Sequence, residues 1–501
     1  MRETSGSRLT TGLPDETVTR FERADPSLRK AARQAREEFR RVAEEFPGLI
    51  ELDESEQIDR LQQGLLQFYS EDKANPYAAL AASGPWVVTL KGAVVYDCGG
   101  YGILGLGHNP PAVMAAIRQP QVMANIMTPN TSHLRAVEAL TAEIGQRREQ
   151  GCPFPRFVFL NSGSEAVAFA ARVADTNARE VTDPGGPRPG ARIRKISLTG
   201  AFHGRTDRPA RFSHSTASTY EANLASFRDR DDLVTVPVND VQALGDAFEA
   251  ADRRGDFLEA LFMEPVMGEG NPGMAVRPEF YALARELTSA HGSLLLVDSI
   301  QAGLRTAGYL SVVDYPGFET LDPPDMEAYS KALNAGQYPM SAVALTERAA
   351  GIFRRGTYGN TMTANPRALD AASAVLGEMT PELRSNIVAG GRKFVRALEV
   401  LAEELDGAIV GVQGTGLLVS CQLARRLSAA GSGSVEDAMR KVGVGVVHGG
   451  RNSVRFTPRF GITAAELELV VECLRECVAS QWRAVRQRRK LGEPVVGGAA
   501  A

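Results

Sequence analysis

The chain has 501 residues, 44% hydrophobic and 23% charged, with a net charge of −4. That length allows two or three domains around a large core, and the composition is ordinary for a globular protein. The charge balance gives no reason to expect a nucleic-acid partner. No run of eighteen apolar residues exists to span a membrane, and the N-terminus lacks the apolar stretch of a secretory signal.

Residues 1–70 read as a polar, helical N-terminal extension. Leu28, Ala31, Ala32, Ala35 and Phe39 make an amphipathic stripe, Pro47 and Gly48 end it, and a second helix is expected over 54–69. Residues 71–110 read as the first part of a small domain, with a hairpin over Trp86–Asp97 turning at Lys91-Gly92. Tyr101 and His108 follow, and His108 suits either a base or a helix-start hydrogen bond.

A large domain is expected over 111–366. Arg156–Leu160 is a buried strand that runs into Asn161-Ser162-Gly163-Ser164-Glu165 and then an Ala-rich helix to about Ala174. Strand, small-residue turn and helix N-terminus together make a phosphate site, although such turns also occur without a ligand. Ile193–Leu198 leads to Phe202-His203-Gly204-Arg205, where a glycine-flanked aromatic is placed to stack on a flat ring; the alternative is a packing Phe beside a surface His. Leu258–Phe262 leads to Glu264, Met267 and Glu269, and Glu269 by itself reads as a solvated loop acid. A helix over 277–290 precedes the strand Ser293–Val297, which ends on Asp298. A carboxylate at the C-terminal end of a buried strand is unfavourable without a cationic partner, and that sheet edge is where ligands bind. Lys331 is followed by little bulk and can reach into a cleft, though a lone lysine is usually solvated.

Residues 367–486 read as a C-terminal small domain with strands near 408–412, 414–423, 442–447 and 452–458, and a last helix over 464–483. Residues 487–501 read as a disordered tail. The cysteines Cys98, Cys152, Cys421, Cys473 and Cys477 are sparse and odd in number, which suits a reducing cytoplasm. Cys473 and Cys477, at helical spacing with no histidine near, read as helix packing, and no metal site is expected.

An amine at Lys331 and an acid at Asp298 are what pyridoxal 5'-phosphate needs, one for its Schiff base and one for its ring nitrogen. Lys331-Ala-Leu-Asn-Ala-Gly-Gln-Tyr-Pro-Met-Ser-Ala and Asp298-Ser-Ile-Gln301-Ala-Gly resemble the class III aminotransferases, the ornithine, acetylornithine and ω-aminotransferase family. The resemblance spans roughly residues 75–482 and is colinear. It implies fold type I: an α/β unit with a mainly parallel sheet of seven-stranded type flanked by helices, plus a smaller α+β domain from both chain ends. It also implies a homodimer.

By the same resemblance, Gly163 and Ser164 hold the cofactor phosphate, Phe202 stacks on the ring beside His203, and Gln301 bonds the ring hydroxyl. Glu264 ends the preceding strand among the cofactor-binding positions. Thr361, four residues before Asn365-Pro366, reaches the neighbouring subunit's phosphate. Tyr101, Arg205, Glu269 and Arg455 match substrate-binding positions, with Arg455 on an α-carboxylate, Glu269 gating it and Arg205 on a distal carboxylate. The implied activity is transamination of an amino acid or ω-amino acid carrying a carboxylate. Ser299 stands where the family usually has Glu, and Met267 where a polar residue is commoner. Those departures keep open the same cofactor chemistry redirected to elimination, replacement, carbon–carbon bond formation or racemisation.

Overall fold

Seven strands form the sheet that carries the candidate site. In chain order they are β1 (Arg156–Leu160), β2 (Arg192–Leu198), β3 (Leu233–Val236), β4 (Asp256–Met263), β5 (Leu294–Asp298), β6 (Met326–Tyr329) and β7 (Ser341–Leu345). This is a computed structural model, and it describes residues 1–228 and 231–490. The strands lie in the order β1-β7-β6-β5-β4-β2-β3. Neighbours are parallel except β7, which is antiparallel to both β1 and β6. Strands β4 to β7 are buried along their whole length, as expected of a mainly parallel sheet covered on both faces.

The helix α1 (Gly163–Thr182) covers one face, with Val167, Ala170, Ala171 and Ala174 packed among Phe262, Leu294, Leu296, Met326 and Ala328. Side chains alternate along a strand, so Asp298 shares the face of Leu294 and Leu296, the face that α1 covers. The C-terminal end of β5 and the N-terminus of α1 are thus on the same side of the sheet.

The chain divides into two compact units, Met1–Pro110 with Ala389–Ala501, and Pro111–Val388. The large unit runs past residue 366, because the Pro366–Gly377 helix packs on the Pro111–Ile117 and Thr131–Glu143 helices. The other unit holds two four-stranded sheets: Ala79–Ser83, Trp86–Thr89, Val94–Asp97 and Val444–Gly445; and Ile409–Thr415, Leu418–Leu423, Ser453–Phe456 and Val447–Gly449. The strand expected over 442–447 is split between these sheets.

The N-terminal residues are part of this unit rather than a separate extension. Phe21, Leu28, Ala31 and Ala35 share a core with Trp86, Tyr96, Phe394 and Phe456. Asp25 starts the Pro26–Glu45 helix by accepting the Ser27 N–H at 2.9 Å, and its other oxygen takes the Trp86 indole N–H at 2.8 Å. The helix expected to reach residue 69 stops at Gln62, just before Gly64 at φ +86°. The last helix continues to Lys490, held by Arg486 on the Asp406 carboxylate at 2.8 Å, so residues 487–490 are helical. The rest of the expected tail, 491–501, lies outside the described residues. Cys473 and Cys477 are buried in the same core.

Candidate active site

Small residues shape the start of α1. Ser162 caps the helix by accepting the Glu165 N–H at 3.2 Å, and Glu165 reaches back to the Asn161 N–H at 2.7 Å. A side chain at Gly163 would place its Cβ 2.8 Å from Ile300 Cδ1, and one at Gly204 would meet Ser164 Oγ at 2.5 Å. Gly204 also has φ +116°, a conformation open to glycine. The Gly163-Ser164 turn, the turn after Asp298 and the Phe202–Arg205 turn are therefore in contact.

At the end of β5, His203 Nδ1 donates to Asp298 Oδ2 at 2.9 Å, and the Ile300 N–H donates to Asp298 Oδ1 at 3.1 Å. Both side chains are buried, so His203 is not on the surface. The sequence reading asked for a cationic partner for Asp298; the structure puts this imidazole in hydrogen-bond contact with it. Gln301, on the turn that follows, accepts a hydrogen bond from Lys331 Nζ. Lys331 follows β6 with φ +49°, an uncommon backbone for a residue with a side chain. Its loop is tied down by Ser330 Oγ and Asn334 Nδ2, which donate to the Met340 carbonyl at 2.7 and 3.0 Å.

Glu264 lies beneath the Phe202 turn. Its carboxyl takes the Phe202 N–H at 3.0 Å and the Gly268 N–H at 2.8 Å. Burial pushes it up to about 7, against the opposing pull of His203. Phe202 is half-buried, and the exposed Arg205 lies over its ring, Cζ 5.3 Å from the centroid. Glu269 is half-buried on the loop beyond Gly268. Met267 is fully buried in the hairpin that pairs Val266 with Ala275, which accounts for an apolar residue there.

Gly163, Ser164, Phe202, His203, Glu264, Asp298, Gln301 and Lys331 thus gather at one end of the large sheet. Thr361 is exposed in the same unit, its carbonyl accepting from Asn125 Nδ2 at 3.0 Å. Tyr101 and Arg455 belong to the other unit. Tyr101 is exposed at φ +49°, and Arg455 is buried on the Ser453–Phe456 strand. His108 there pairs with Asp97 at 3.0 Å.

These residues suit pyridoxal phosphate on their own chemistry. Gln301 Nε2 is buried with no hydrogen-bond partner, a donor that an acceptor beside it would satisfy. An amine, an oriented carboxylate, a half-buried aromatic and a helix N-terminus lie around it, which is the donor set this cofactor takes.

Comparison with known proteins decides the family. Residues 68–478 match the family model described as Aminotransferase class-III. The chain belongs to the class III aminotransferases. An acetylornithine aminotransferase of Neisseria meningitidis serogroup B is 30% identical over 385 residues, covering 75% of this chain and 88% of that protein. A putrescine aminotransferase of Pectobacterium atrosepticum is 29% identical over 408 residues, covering 78% and 80%. The ornithine aminotransferase of Toxoplasma gondii has the same fold, with TM-score 0.73 at 24% identity over 86% of this chain and 96% of that one.

This class III aminotransferase is accordingly a fold type I, pyridoxal-phosphate-dependent enzyme that transaminates an amino acid. The comparisons give no support to the redirected chemistries that Ser299 and Met267 had kept open. Among the described residues no helix is long and apolar enough to cross a membrane, and no group of three or more candidate metal ligands occurs.

Two residues packed beside the site were not singled out in the sequence. Glu327 in β6 is fully buried, and a lone acid inside the strand Met-Glu-Ala-Tyr was the signal. Asn360, whose Nδ2 donates to Glu165 Oε1 at 2.8 Å, ties the Thr361 loop to the start of α1, and no local pattern marks it.

Proposed function

We propose that this aminotransferase takes the terminal amino group of a diamino or ω-amino acid of the acetylornithine and ornithine kind. Three features support this reading: the relatives' named substrates, the Lys331–Gln301 and His203–Asp298 pairs on adjoining turns, and two arginines at family carboxylate positions. The single observation that carries it is that Lys331 Nζ and the Asp298 carboxylate flank the same short turn, one contacting Gln301 and the other beginning it.

The cofactor, when bound, supplies an electron sink for the bond broken at the substrate carbon. Lys331 would hold it through its amine, and the same amine, when free, would take and return the proton at the substrate carbon. Asp298, oriented by His203 and the Ile300 N–H, would keep the ring nitrogen protonated. Gln301 Nε2 would donate to the ring hydroxyl, Phe202 would cover the ring, and Ser164 with the N-terminus of α1 would take the phosphate. Glu264 holds the Phe202 turn in place. Arg455 takes an α-carboxylate and Glu269 competes for it, Arg205 takes a distal carboxylate, and Tyr101 contacts the substrate. These four roles rest on the family positions they match. A planar guanidinium suits them because it binds carboxylate through two parallel hydrogen bonds.

The active unit is a homodimer in which Thr361 reaches the partner's phosphate site. Its support is a patch of exposed apolar residues on the large unit, Val122, Met123, Ile126, Met127, Leu134 and Met362, with Met127 83% exposed. The compartment is the cytoplasm, a reading supported by the sparse and odd-numbered cysteines of the chain.

The test is stoichiometric. Acetylornithine, ornithine and putrescine are each added to enzyme loaded with pyridoxal phosphate and no acceptor. One equivalent of bound cofactor should convert to its amine form with a carboxylate-bearing donor. No conversion with any of them, or conversion with putrescine alone, overturns the substrate assignment.

A further inference from the structure

Glu327 is a carboxylate in the middle of a fully buried strand, and no role assigned above uses it. Its Oε1 accepts from Ser299 Oγ at 2.5 Å and from the Val312 N–H at 2.8 Å, and its Oε2 accepts from Ser311 Oγ at 2.5 Å. Ser299 and Ser311 are themselves buried. Ser299 is gripped a second time from the same strand, since its N–H donates to the Ala328 carbonyl at 2.9 Å. One carboxylate therefore fastens both ends of the 299–312 loop to β6.

That loop begins one residue after Asp298 and carries Gln301. Within it the Gly303 N–H closes on the Ser299 carbonyl at 2.7 Å, so a shift of Ser299 moves the turn as a body. Cross-strand register pairs Val297 with Glu327 and Asp298 with Ala328. Alternation then puts Glu327 and Ser299 on the sheet face opposite Asp298. Glu327 acts from behind and touches neither cofactor nor substrate. The family usually carries an acid directly after the aspartate; here a serine stands there, and an acid on the adjacent strand holds it.

We propose that Glu327 is a positioning residue for the catalytic turn, fixing Asp298 and Gln301 through Ser299. The inference rests on the reading of Asp298 and Gln301 as cofactor contacts. The Ser299–Glu327 bond sets how far Asp298 and Gln301 stand from the ring nitrogen and ring hydroxyl. Loosening it weakens cofactor binding and changes the protonation of the bound cofactor. A carboxylate that only filled the core would affect stability and neither of these.

The experiment uses full-length apoprotein reconstituted with pyridoxal phosphate. Ser299→Ala removes one buried hydroxyl with little risk to folding, and Glu327→Leu removes the whole clamp. Three quantities are read: the thermal midpoint of the apoprotein, the Kd for pyridoxal phosphate, and the pH midpoint of the bound cofactor's visible absorbance. Ser299→Ala should raise Kd about tenfold, the scale of one lost hydrogen bond, and displace the absorbance midpoint while leaving the thermal midpoint close to wild type. Where Glu327→Leu folds, adding Ser299→Ala to it should change Kd no further, because the two residues act as one unit. Wild-type Kd and absorbance midpoint in Ser299→Ala overturn the proposal. Should the wild-type protein itself take up no pyridoxal phosphate, the reading of the site fails first and this inference falls with it.

Discussion

His203 and Asp298 meet at 2.9 Å in the buried end of the large sheet, although 95 residues separate them in the chain. The imidazole and the Ile300 N–H occupy one oxygen each, so the carboxylate has a single orientation. Asp298→Asn keeps the shape and loses the charge. It should retain pyridoxal phosphate but lose a charge-assisted hydrogen bond, which is about 1.5–3 kcal/mol, or roughly ten- to a hundredfold in kcat. The loss of the electron-sink effect adds to this. Near-normal kcat in that variant means that Asp298 is not the ring-nitrogen partner.

Lys331 should carry the cofactor. Borohydride reduction of the reconstituted enzyme followed by peptide mapping should find the pyridoxyl label on the peptide containing Lys331. Its positive φ is a strain that persists where surrounding structure holds it, as it does around functional groups. A label on another lysine refutes the assignment.

Gly204→Ala probes the contact between the Phe202 turn and the start of α1. The new methyl would meet Ser164 Oγ at 2.5 Å on a backbone at φ +116°. The strain is about 1–3 kcal/mol. Denaturant unfolding should show that loss, and equilibrium dialysis should show weaker phosphate-dependent binding of the cofactor. Unchanged affinity for pyridoxal phosphate would separate Ser164 from the phosphate site.

Two buried acids make stability depend on pH. Burial raises Glu264 from 4.5 to about 7, and likewise raises Glu327 from 4.5 to about 7. A raised folded-state value means that the folded protein binds more protons than the unfolded chain between these limits. The stabilisation is fully present below about pH 4.5 and is lost as pH rises through 7. Urea unfolding of the apoprotein should therefore give a lower unfolding free energy at pH 8 than at pH 5.5. Glu327→Gln should shrink that difference by on the order of 1–3 kcal/mol, leaving the part due to Glu264. An identical pH dependence in both proteins contradicts the assignment to Glu327.

The apolar patch predicts the assembly. Met127→Asp, alone or with Leu134→Asp, places charge on side chains that are 83% and 60% exposed in the single chain. Light scattering should find a dimer for wild type and a monomer for the double variant. kcat should fall with the dimer if Thr361 serves the partner's site. A double variant that remains dimeric at assay concentration excludes this face as the interface.

Much of the architecture was legible locally. β1, β4 and β5 hold apolar runs, β2 alternates Ile193, Ile196 and Leu198 with polar residues, and the turn chemistry after each marks where ligand groups lie. β3, β6 and β7 were not singled out. β3 and β6 are only four residues long, and β6 carries Glu327 between Met326 and Ala328, so short length and polar content hid those two. The Glu54–Gln62 helix was overextended to residue 69, where Leu65, Leu66 and Phe68 look like a helical face yet are exposed in the single chain.

What the sequence determined by itself was an inventory: an acid ending a buried strand, a lysine before small residues, a Ser-Gly-Ser turn before a helix, and a Phe-His-Gly turn. Each is a local pattern, set by strand burial, helix start chemistry and backbone freedom within a few residues. The tertiary structure decided which of these meet. His203 faces Asp298 because β2 and β5 flank β4 and all three end at the same edge of the sheet. Glu327 reaches Ser299, 28 residues away, because the crossover from β5 lays β6 beside it in parallel register. Strand order is set by packing of the whole sheet between its helices, and no spacing within either segment encodes it.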